Sequence, residues 1–454
     1  MTPTPLDAVC PADGRYRKDA APLAAHFSER ALIRERALVE IAWLKTLAPL
    51  FSFSARADLS PLDQIAAEAA APGAAEAIKE TEASLRHDVK AVEYWLREKL
   101  QEHGLGALRP LAHFGCTSWD INNIATGKMI AGALRDTMIP QLQTVADDIA
   151  ARAREYAEIP MLSRTHGQPA SPTTAGKEFA NFAARLSPRL QKLRKWRPRG
   201  KMNGATGNYN AHYVARPDID WRRTARDFVE SQGMDFAPCT TQIEPYDDLA
   251  DLLNLLRGIN NILLDFCRDM WGYIALEYFR QKTAAGEVGS STMPHKINPI
   301  DFENAEGNIG IANALLSHLS DKLPVSRWQR DLSDSAALRN LGAAFAHCLL
   351  AWKSAARGLG RAEINAPRLA ADLDDNWQVL TEAVQTVLRA ENADDDAYEN
   401  LKNFSRGAAV DRLRLRHFIG ELPLGEEAKQ KLLALSPRDY CGVAAQLAAD
   451  SARP

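Results

Sequence analysis

A polar segment rich in glycine, serine and asparagine offers the strongest candidate chemistry in this sequence. It reads Gly289-Ser290-Ser291-Thr292-Met293-Pro294-His295-Lys296-Ile297-Asn298-Pro299. Glycine allows backbone shapes that direct amide groups at an anion, serine hydroxyls can transfer a proton, and Lys296 with Asn298 suits a carboxylate. The alternative is a polar loop between helices that ends at Asn298-Pro299. On composition alone the two interpretations carry equal weight.

A second polar segment places a histidine beside a glycine. It reads Ser163-Arg164-Thr165-His166-Gly167-Gln168-Pro169, and we expect it to lie just before a helix. Histidine exchanges protons near neutral pH, so His166 is a candidate general acid or base. Taken alone, a capping or core histidine that bonds to the backbone is the more common interpretation.

Three further segments have the residue types that bind anions. They are Arg86-His87-Asp88, then Cys116-Thr117-Ser118 before Asp120, and then Ser326-Arg327-Trp328-Gln329-Arg330-Asp331 before Ser335 and Arg339. Arginine forks and hydroxyl groups suit phosphate or carboxylate. The alternatives are, in turn, a solvated helix face, a helix N-cap at Ser118 or Asp120, and surface salt bridges.

Composition and charge narrow the class of protein. The 454 residues are 46% hydrophobic and 25% charged, which is typical of an ordinary globular protein. A net charge of −3 excludes the basic excess of a general nucleic-acid binder, so local cations must hold any anionic ligand. We predict a cytoplasmic protein with no membrane partner, because the first residues lack a signal pattern and no apolar run is long enough to span a bilayer.

The sequence lacks the usual patterns for metals, redox centres and cofactors. Its six cysteines form no C-x-x-C pair, and no histidine pair has the helical spacing of a zinc site. Walker and dinucleotide-binding fingerprints are absent as well. We therefore expect neither metal nor cofactor.

Hydrophobic periodicity predicts the elements that must position these segments. Apolar residues follow steps of three and four from Tyr246 to Arg280, which predicts one long helix, and 301–323 repeats the pattern. Further helices are predicted at 130–149, with a kink at Pro140, and at 179–193, 22–50 and 74–101. The stretch Gly200 to Tyr213 is expected to form a turn or short hairpin, and helices become shorter after about Ala366.

Taken together, these segments resemble the fumarase and aspartase superfamily, whose signature matches residues 289–299. Within it the chain is most similar to the bacterial adenylosuccinate lyase family. The similarity runs from about Asp13 to Leu435 and rests on these motifs: Arg15-Tyr16, Arg86-His87-Asp88-Val89-Lys90, Thr117-Ser118, Arg164-Thr165-His166-Gly167-Gln168-Pro169, Asn203-Gly204-Ala205-Thr206-Gly207-Asn208-Tyr209-Asn210, Thr241-Gln242 and Ser326-Arg327-Trp328-Gln329-Arg330-Asp331.

The resemblance implies an all-α fold. It would be a long-helix bundle flanked by two smaller helical domains, with residues 1–111, 112–365 and 366–454 as the three parts. It also implies a homotetramer in which several subunits build each active site. Long helices that are apolar on more than one face agree with burial in an oligomer.

The resemblance also implies a reaction and its residues. Fumarate would be eliminated from adenylosuccinate to give AMP, and from succinylaminoimidazole carboxamide ribotide (SAICAR) to give AICAR, in purine nucleotide biosynthesis. Ser290 would act as the general base and His166 as the general acid, with neither metal nor cofactor. The substrate-binding residues would be Arg15, Tyr16, Arg86, His87, Asp88, Thr117, Ser118, Gln242, Ser291, Lys296, Asn298, Asn304, Arg330, Ser335 and Arg339.

Two residues differ from the pattern that the resemblance predicts. Trp119 stands where the resemblance predicts a small or acidic residue, and Arg86 stands where the nearest bacterial branch commonly has asparagine. Trp119 either packs against its neighbours or narrows the site.

Two alternatives to this function remain. One is another reaction of the superfamily, such as that of argininosuccinate lyase or a carboxymuconate cycloisomerase, and the other is a non-catalytic scaffold.

Overall fold

The structure, a computed structural model, describes residues 4–282, 292–293, 295–392, 397–405 and 410–451. The chain divides into two compact units. The first unit comprises Met1–Leu142, Leu190–Asn261 and Gly307–Ala351, and the second comprises Gln143–Arg189, Ile262–Glu306 and Trp352–Pro454. The division into three domains that the sequence suggests stays a prediction.

Helices make up 68% of the structure, which confirms the all-α fold class. In chain order they are α1 Arg17–Ala20, α2 Ala24–Phe27, α3 Glu29–Leu47, α4 Pro61–Ala70, α5 Pro72–Leu85, α6 Asp88–Glu102, α7 Ser118–Ala133, α8 Ile139–Glu155, α9 Ala175–Lys195, α10 Asn210–Ala215, α11 Trp221–Ser231, α12 Asp247–Ala275, α13 Ile300–Lys322, α14 Ser333–Leu338, α15 Leu341–Arg361, α16 Ala366–Asp374, α17 Thr381–Ala390, α18 Ala397–Ser405, α19 Arg412–Glu421, α20 Glu426–Ala434 and α21 Ala444–Ser451.

Three small two-stranded sheets accompany the helices. Strands β1 Pro160–Thr165 and β2 Gln168–Thr174 form an antiparallel hairpin, and β5 Phe279–Gln281 pairs antiparallel with β6 Ala362–Ile364. Strands β3 Arg199–Gly200 and β4 Asp235–Phe236 pair in parallel. The stretch Gly200 to Tyr213, expected to be a turn or short hairpin, contains a turn at residues 205–206 but no hairpin, since it leaves β3, continues as a loop and enters α10.

Each unit has its own apolar core. In the first unit, α3 packs against α6 and α7, and the indole of Trp43 meets the ring of Phe228 edge-on with centroids 4.9 Å apart. In the second unit, aromatic rings gather around Phe179, which contacts Tyr156, Phe266 and Phe279 at 5.8 Å. These cores hold the helices from which the polar segments project.

Two predicted amino-terminal helices are each broken by a polar residue. The helix expected at 22–50 breaks at Ser28, whose hydroxyl accepts a hydrogen bond from the amide of Ala31 and caps α3. The helix expected near 74–101 breaks at Arg86, which ends α5 with a left-handed backbone (φ 56°). Periodicity alone missed both breaks, because the apolar pattern continues across them.

The longest predicted helix ends earlier than expected. Helix α12 covers Asp247–Ala275 rather than Tyr246 to Arg280. Glu277 adopts φ 61°, and the Tyr278 amide donates to the carbonyl of Tyr273, a bond that closes a helix end. The chain then enters β5. Pairing with β6 provides the backbone hydrogen bonds that a longer helix would have provided.

The kink expected at Pro140 takes the form of a wider helical turn. Residues Leu134–Met138 form a π-helix between α7 and α8, directly before the proline. Proline lacks an amide hydrogen and crowds the preceding turn, so local widening accommodates it without ending the helical run.

Candidate active site

A cavity of about 280 Å³ in the first unit is lined by two of the predicted binding residues, Ser335 and Arg339. Helices α2, α3, α7, α14 and α15 supply its walls. Its polar lining includes Ser28, Glu29, Arg36, Asn122, Thr126, Ser335 and Arg339, and its apolar lining includes Phe27, Leu32, Trp119, Met129, Leu338 and Leu341. A concave site with apolar walls on one side and converging polar groups on the other can hold a small polar ligand.

A buried arginine fixes one of the predicted carboxylates beside this cavity. The Arg36 side chain donates from Nη2 to Asp88 Oδ2 at 2.8 Å and from Nε to Asn122 Oδ1 at 2.8 Å. Burial would raise the pKa of Asp88, but Arg36, the amide of Val89 and His87 together outweigh that effect and lower the pKa below its ordinary value. Asp88 is therefore held as a carboxylate.

Arg339 adds a positive charge to the cavity lining, and Ser335 adds a hydroxyl group. The Arg339 guanidinium lies 3.4 Å from Glu29 Oε2 and 3.9 Å from Asp88 Oδ2, and about half of its side chain is exposed. Ser335 lies on the short helix α14 and also lines the cavity. Arg339 thus keeps the solvent access that an incoming anion requires.

Arg330 lies over the indole ring of Trp119. Its guanidinium carbon is 3.8 Å from the indole centroid, and its Nη2 is 3.5 Å from Asp334 Oδ1. Burial raises the pKa of Asp334, and Arg330 partly opposes that shift. Trp119, which differs from the family pattern, therefore packs against a residue that is predicted to bind the substrate.

A buried ion pair supports the segment that carries Thr117 and Ser118. Asp120 and Lys201 are both fully buried, with Lys201 Nζ 2.9 Å from Asp120 Oδ1. Asp120 also accepts hydrogen bonds from the amides of Thr117 (2.8 Å) and Asn203 (3.0 Å). The N-cap of α7 is Thr117 rather than Ser118 or Asp120, and Ser118 is the first helical residue.

Arg86 and His87 lie at the junction between α5 and α6, and not on a continuous helix. Both side chains are exposed, and His87 Nδ1 accepts a hydrogen bond from the amide of Lys90 at 3.2 Å as the N-cap of α6. A left-handed backbone at a non-glycine residue such as Arg86 costs about 1–2 kcal/mol and is a feature found at functional sites.

The remaining predicted residues of the first unit lie outside the lining of this cavity. Arg15 is exposed and Tyr16 is half-buried at the start of α1. Gln242 donates from Nε2 to the carbonyl of Ala205 at 2.9 Å, which ties its segment to the glycine-rich loop after β3.

The candidate acid, His166, lies at the tip of the β1–β2 hairpin in the second unit and not before a helix. His166 and Gly167 have φ values of 53° and 76°, the positive pair required by a two-residue hairpin turn. The His166 side chain is exposed. Prolines in both strands obscured the hairpin in the sequence.

A buried carboxylate anchors that hairpin. Arg164 Nη2 in β1 donates to Asp372 Oδ2 in α16 at 2.6 Å, and the hydroxyl of Tyr278 donates to the same oxygen. Asp372 is buried and Arg164 is about one-quarter exposed. The strand two residues before His166 is therefore fixed to a helix of its own unit.

The signature segment is only partly within the described residues. Ser290 and Ser291, the predicted base and its neighbour, lie outside them. Lys296 is exposed, and its amide donates to the carbonyl of Met293 at 3.0 Å. Asn298 is half-buried just before α13, and Asn304 on α13 donates to the hydroxyl of Ser354 at 2.9 Å.

The sequence interpretation missed Arg36 and Lys201. Arg36 lies one turn from Ile33 and Glu40 on the buried stripe of α3, and Lys201 follows the two-residue strand β3. A charged residue at a core-facing helical position was the available signal for Arg36, because such a charge requires a buried partner. No comparable pattern marks Lys201.

Membrane-spanning helices and clusters of metal ligands are both absent from the described residues. No helix among them is long and apolar enough to cross a membrane. Within the same part of the chain, no three side chains of histidine, cysteine, aspartate or glutamate gather as metal ligands would.

Solved structures define the fold class. A 3-carboxy-cis,cis-muconate lactonizing enzyme from Pseudomonas putida matches with a TM-score of 0.75 and 24% identity, covering 95% of this chain and 96% of that one. A fumarate lyase from Mesorhizobium sp. BNC1 matches with a TM-score of 0.77 and 21% identity, covering 95% and 97%. The protein has the fold of the fumarate lyase superfamily.

Sequence comparisons narrow this class to one family. Residues 14–312 match the family model described as Lyase, and residues 326–441 match Adenylosuccinate lyase C-terminal. The adenylosuccinate lyase of Haemophilus influenzae is 48% identical, covering 97% of this chain and 98% of that protein. Those of Legionella pneumophila strain Corby (49%; 98% and 99%) and Escherichia coli K12 (48%; 96% and 97%) match similarly. The chain belongs to the adenylosuccinate lyase family, within the fumarase and aspartase superfamily, and is a lyase.

Proposed function

We propose that this enzyme eliminates fumarate from adenylosuccinate to give AMP, and from SAICAR to give AICAR, in purine nucleotide biosynthesis. The observation that carries the proposal is identity of 48–49% over nearly the whole chain to adenylosuccinate lyases from three organisms. The cavity bounded by Arg36 and Arg339 supports it, because both substrates are anionic.

The cations of the first unit would bind the nucleotide. Arg330, Ser335 and Arg339 would hold the phosphate, because arginine forks match its oxygens and a hydroxyl completes the set. The other binding residues of the first unit would be Arg15, Tyr16, Arg86, His87, Asp88, Thr117, Ser118 and Gln242. Asp88, kept ionised by Arg36, would balance charge rather than bind the phosphate.

Proton removal would require the signature segment. Ser290 would take the proton from the carbon next to a substrate carboxylate, and that carboxylate would become a doubly negative aci-carboxylate. Ser291, Lys296, Asn298 and Asn304 would bind the dicarboxylate and stabilise the charge that develops. A serine hydroxyl is a weak base, so neighbouring cations must favour its alkoxide.

Bond cleavage would require an acid. As the carbon–nitrogen bond breaks, the electron pair goes to the nitrogen, which leaves poorly as an anion. His166 would donate a proton to it, so that fumarate and the neutral amine are the products. The exposed position of His166 at the hairpin tip supports this role, because an acid must reach the substrate. No metal or cofactor takes part in this scheme.

The assembly and location of the enzyme are part of the proposal. We infer a cytoplasmic homotetramer in which several subunits contribute to each active site, and three domains at residues 1–111, 112–365 and 366–454. Light scattering with the purified chain should give four times the mass of one chain. A monomeric mass together with full activity would overturn the shared site.

A turnover assay tests the function. The purified chain should release fumarate from adenylosuccinate and from SAICAR. Release from argininosuccinate but not from adenylosuccinate would show that the enzyme carries out another reaction of the superfamily. If no substrate reacts, the scaffold interpretation replaces the proposal.

The Ser290→Ala variant tests the base. It should assemble as the wild type does and lose at least about 10²-fold in kcat, the usual contribution of a positioned acid or base. Ser317→Ala, at a half-buried position on α13 that is not among the predicted site residues, is the control and should keep full turnover. Unchanged turnover in Ser290→Ala would remove Ser290 from the mechanism.

A further inference from the structure

Of the two residues that differ from the family pattern, Trp119 is the one that contacts a predicted binding residue. It is the second residue of α7, is 6% exposed and lines the cavity that also contains Ser335 and Arg339. Its indole ring therefore has two neighbours of interest, which are the cavity and the guanidinium of Arg330.

The guanidinium of Arg330 lies over the indole ring. The carbon of that group lies 3.8 Å from the indole centroid, which is close to ring-stacking distance. Only about one-sixth of the Arg330 side chain is exposed, so little water weakens the attraction between the cation and the ring.

The contact with Trp119 leaves the N–H groups of Arg330 available for hydrogen bonds. Arginine has five N–H donors, and the tryptophan side chain has a donor but no hydrogen-bond acceptor, so the indole occupies none of them. In the described part of the chain, Arg330 donates no hydrogen bond, and its nearest anion, Asp334, stays at 3.5 Å. A small or acidic residue at 119 would either remove this support or occupy the donors with its carboxylate.

We propose that Trp119 is a positioning residue that holds Arg330 with its N–H edge directed to the phosphate of the bound nucleotide. The inference rests on the proposed function, which assigns the phosphate to Arg330, Ser335 and Arg339. Trp119 itself does not bind the phosphate. It raises affinity by reducing the freedom that Arg330 would otherwise lose on binding.

The test compares Trp119→Phe and Trp119→Leu with the wild-type enzyme. Both variants keep an apolar side chain, but only phenylalanine keeps a ring face. Binding of AMP and of fumarate is measured separately by calorimetry, and KM and kcat are measured with adenylosuccinate. Trp43→Phe is the matched control, because Trp43 is buried in the same unit and packs against the ring of Phe228, and no arginine among the described residues lies over it.

Trp119→Leu should weaken AMP binding and raise KM about tenfold, with kcat within about twofold and fumarate binding unchanged. Trp119→Phe should recover at least half of the lost affinity on a logarithmic scale. Trp43→Phe should lower the melting temperature without changing AMP affinity. Equal AMP affinity in the leucine and phenylalanine variants, or equal weakening of AMP and fumarate, would overturn the role of Trp119.

The two proposals fail in different ways. If the wild-type enzyme does not convert adenylosuccinate, the proposed function is wrong whatever AMP binding shows. If it converts adenylosuccinate and Trp119→Leu still binds AMP as the wild type does, only the inference about Trp119 is wrong.

Discussion

The two regions that carry the candidate chemistry are built differently. In the first unit, the binding residues adjoin buried charges, such as Arg36 with Asp88 and the fully buried pair of Asp120 and Lys201. In the second unit, His166 is exposed at a hairpin tip. Binding an anion requires cations fixed in advance, whereas a proton donor requires access. Substitutions should therefore cost stability in the first region and activity at the tip.

The largest effect is expected at the hairpin tip. His166→Asn should lower kcat by about 10²- to 10⁴-fold, the usual contribution of a positioned acid. Stability should change by less than about 0.5 kcal/mol, because the side chain is exposed and asparagine tolerates the left-handed turn. Steady-state kinetics and thermal melts check both. A large loss of stability would break the contrast between the regions.

A buried charge in the first unit should show the opposite pattern. Lys201→Met removes the cation paired with Asp120 and should destabilise the protein by about 3–5 kcal/mol, because a buried carboxylate loses its partner. Denaturant unfolding measures the loss. The double variant Asp120→Asn with Lys201→Met should recover part of it. Wild-type stability in Lys201→Met would show that Asp120 does not need the ion pair.

The anchor of the hairpin should show an intermediate effect on both properties. Asp372→Asn weakens the bonds from Arg164 and Tyr278, so it should cost about 2 kcal/mol and lower kcat about tenfold by loosening the strand before His166. Asp374→Asn is the control, because its pair with Arg438 is half-exposed and should be worth less than about 1 kcal/mol. Equal effects in both variants would contradict this anchoring.

The smallest effect should depend on pH. The pKa of Asp88 is lowered in the folded protein, chiefly by Arg36 acting against burial, so its carboxylate stabilises the fold above the ordinary value of 3.8. That contribution is lost as pH falls through the depressed value. Asp88→Asn should cost about 1 kcal/mol at pH 7, and the difference from wild type should shrink below about pH 4. If the difference in stability between Asp88→Asn and the wild type grew as the pH fell, the carboxylate of Asp88 would not be the source of the stabilisation.

Periodicity predicted where long helices lie but not where they end. Most of the apolar repeat predicted from Tyr246 to Arg280 lies in α12 as expected, yet the helix stops at Ala275 because β5 then pairs with β6. The break at Arg86 escaped prediction for a related reason. A left-handed residue between two apolar runs leaves the spacing of those runs unchanged.

The sequence by itself determined the all-helical class, the family and the residues that belong to its motifs. Each of these depends on the types and spacing of residues that lie close together in the chain. Only the tertiary structure decided which charges are buried together. Arg36 and Asp88 lie far apart in the chain, and Trp119 meets Arg330 across still more residues. Such pairs depend on how helices pack, because burial makes an isolated charge costly and so selects its partner in space.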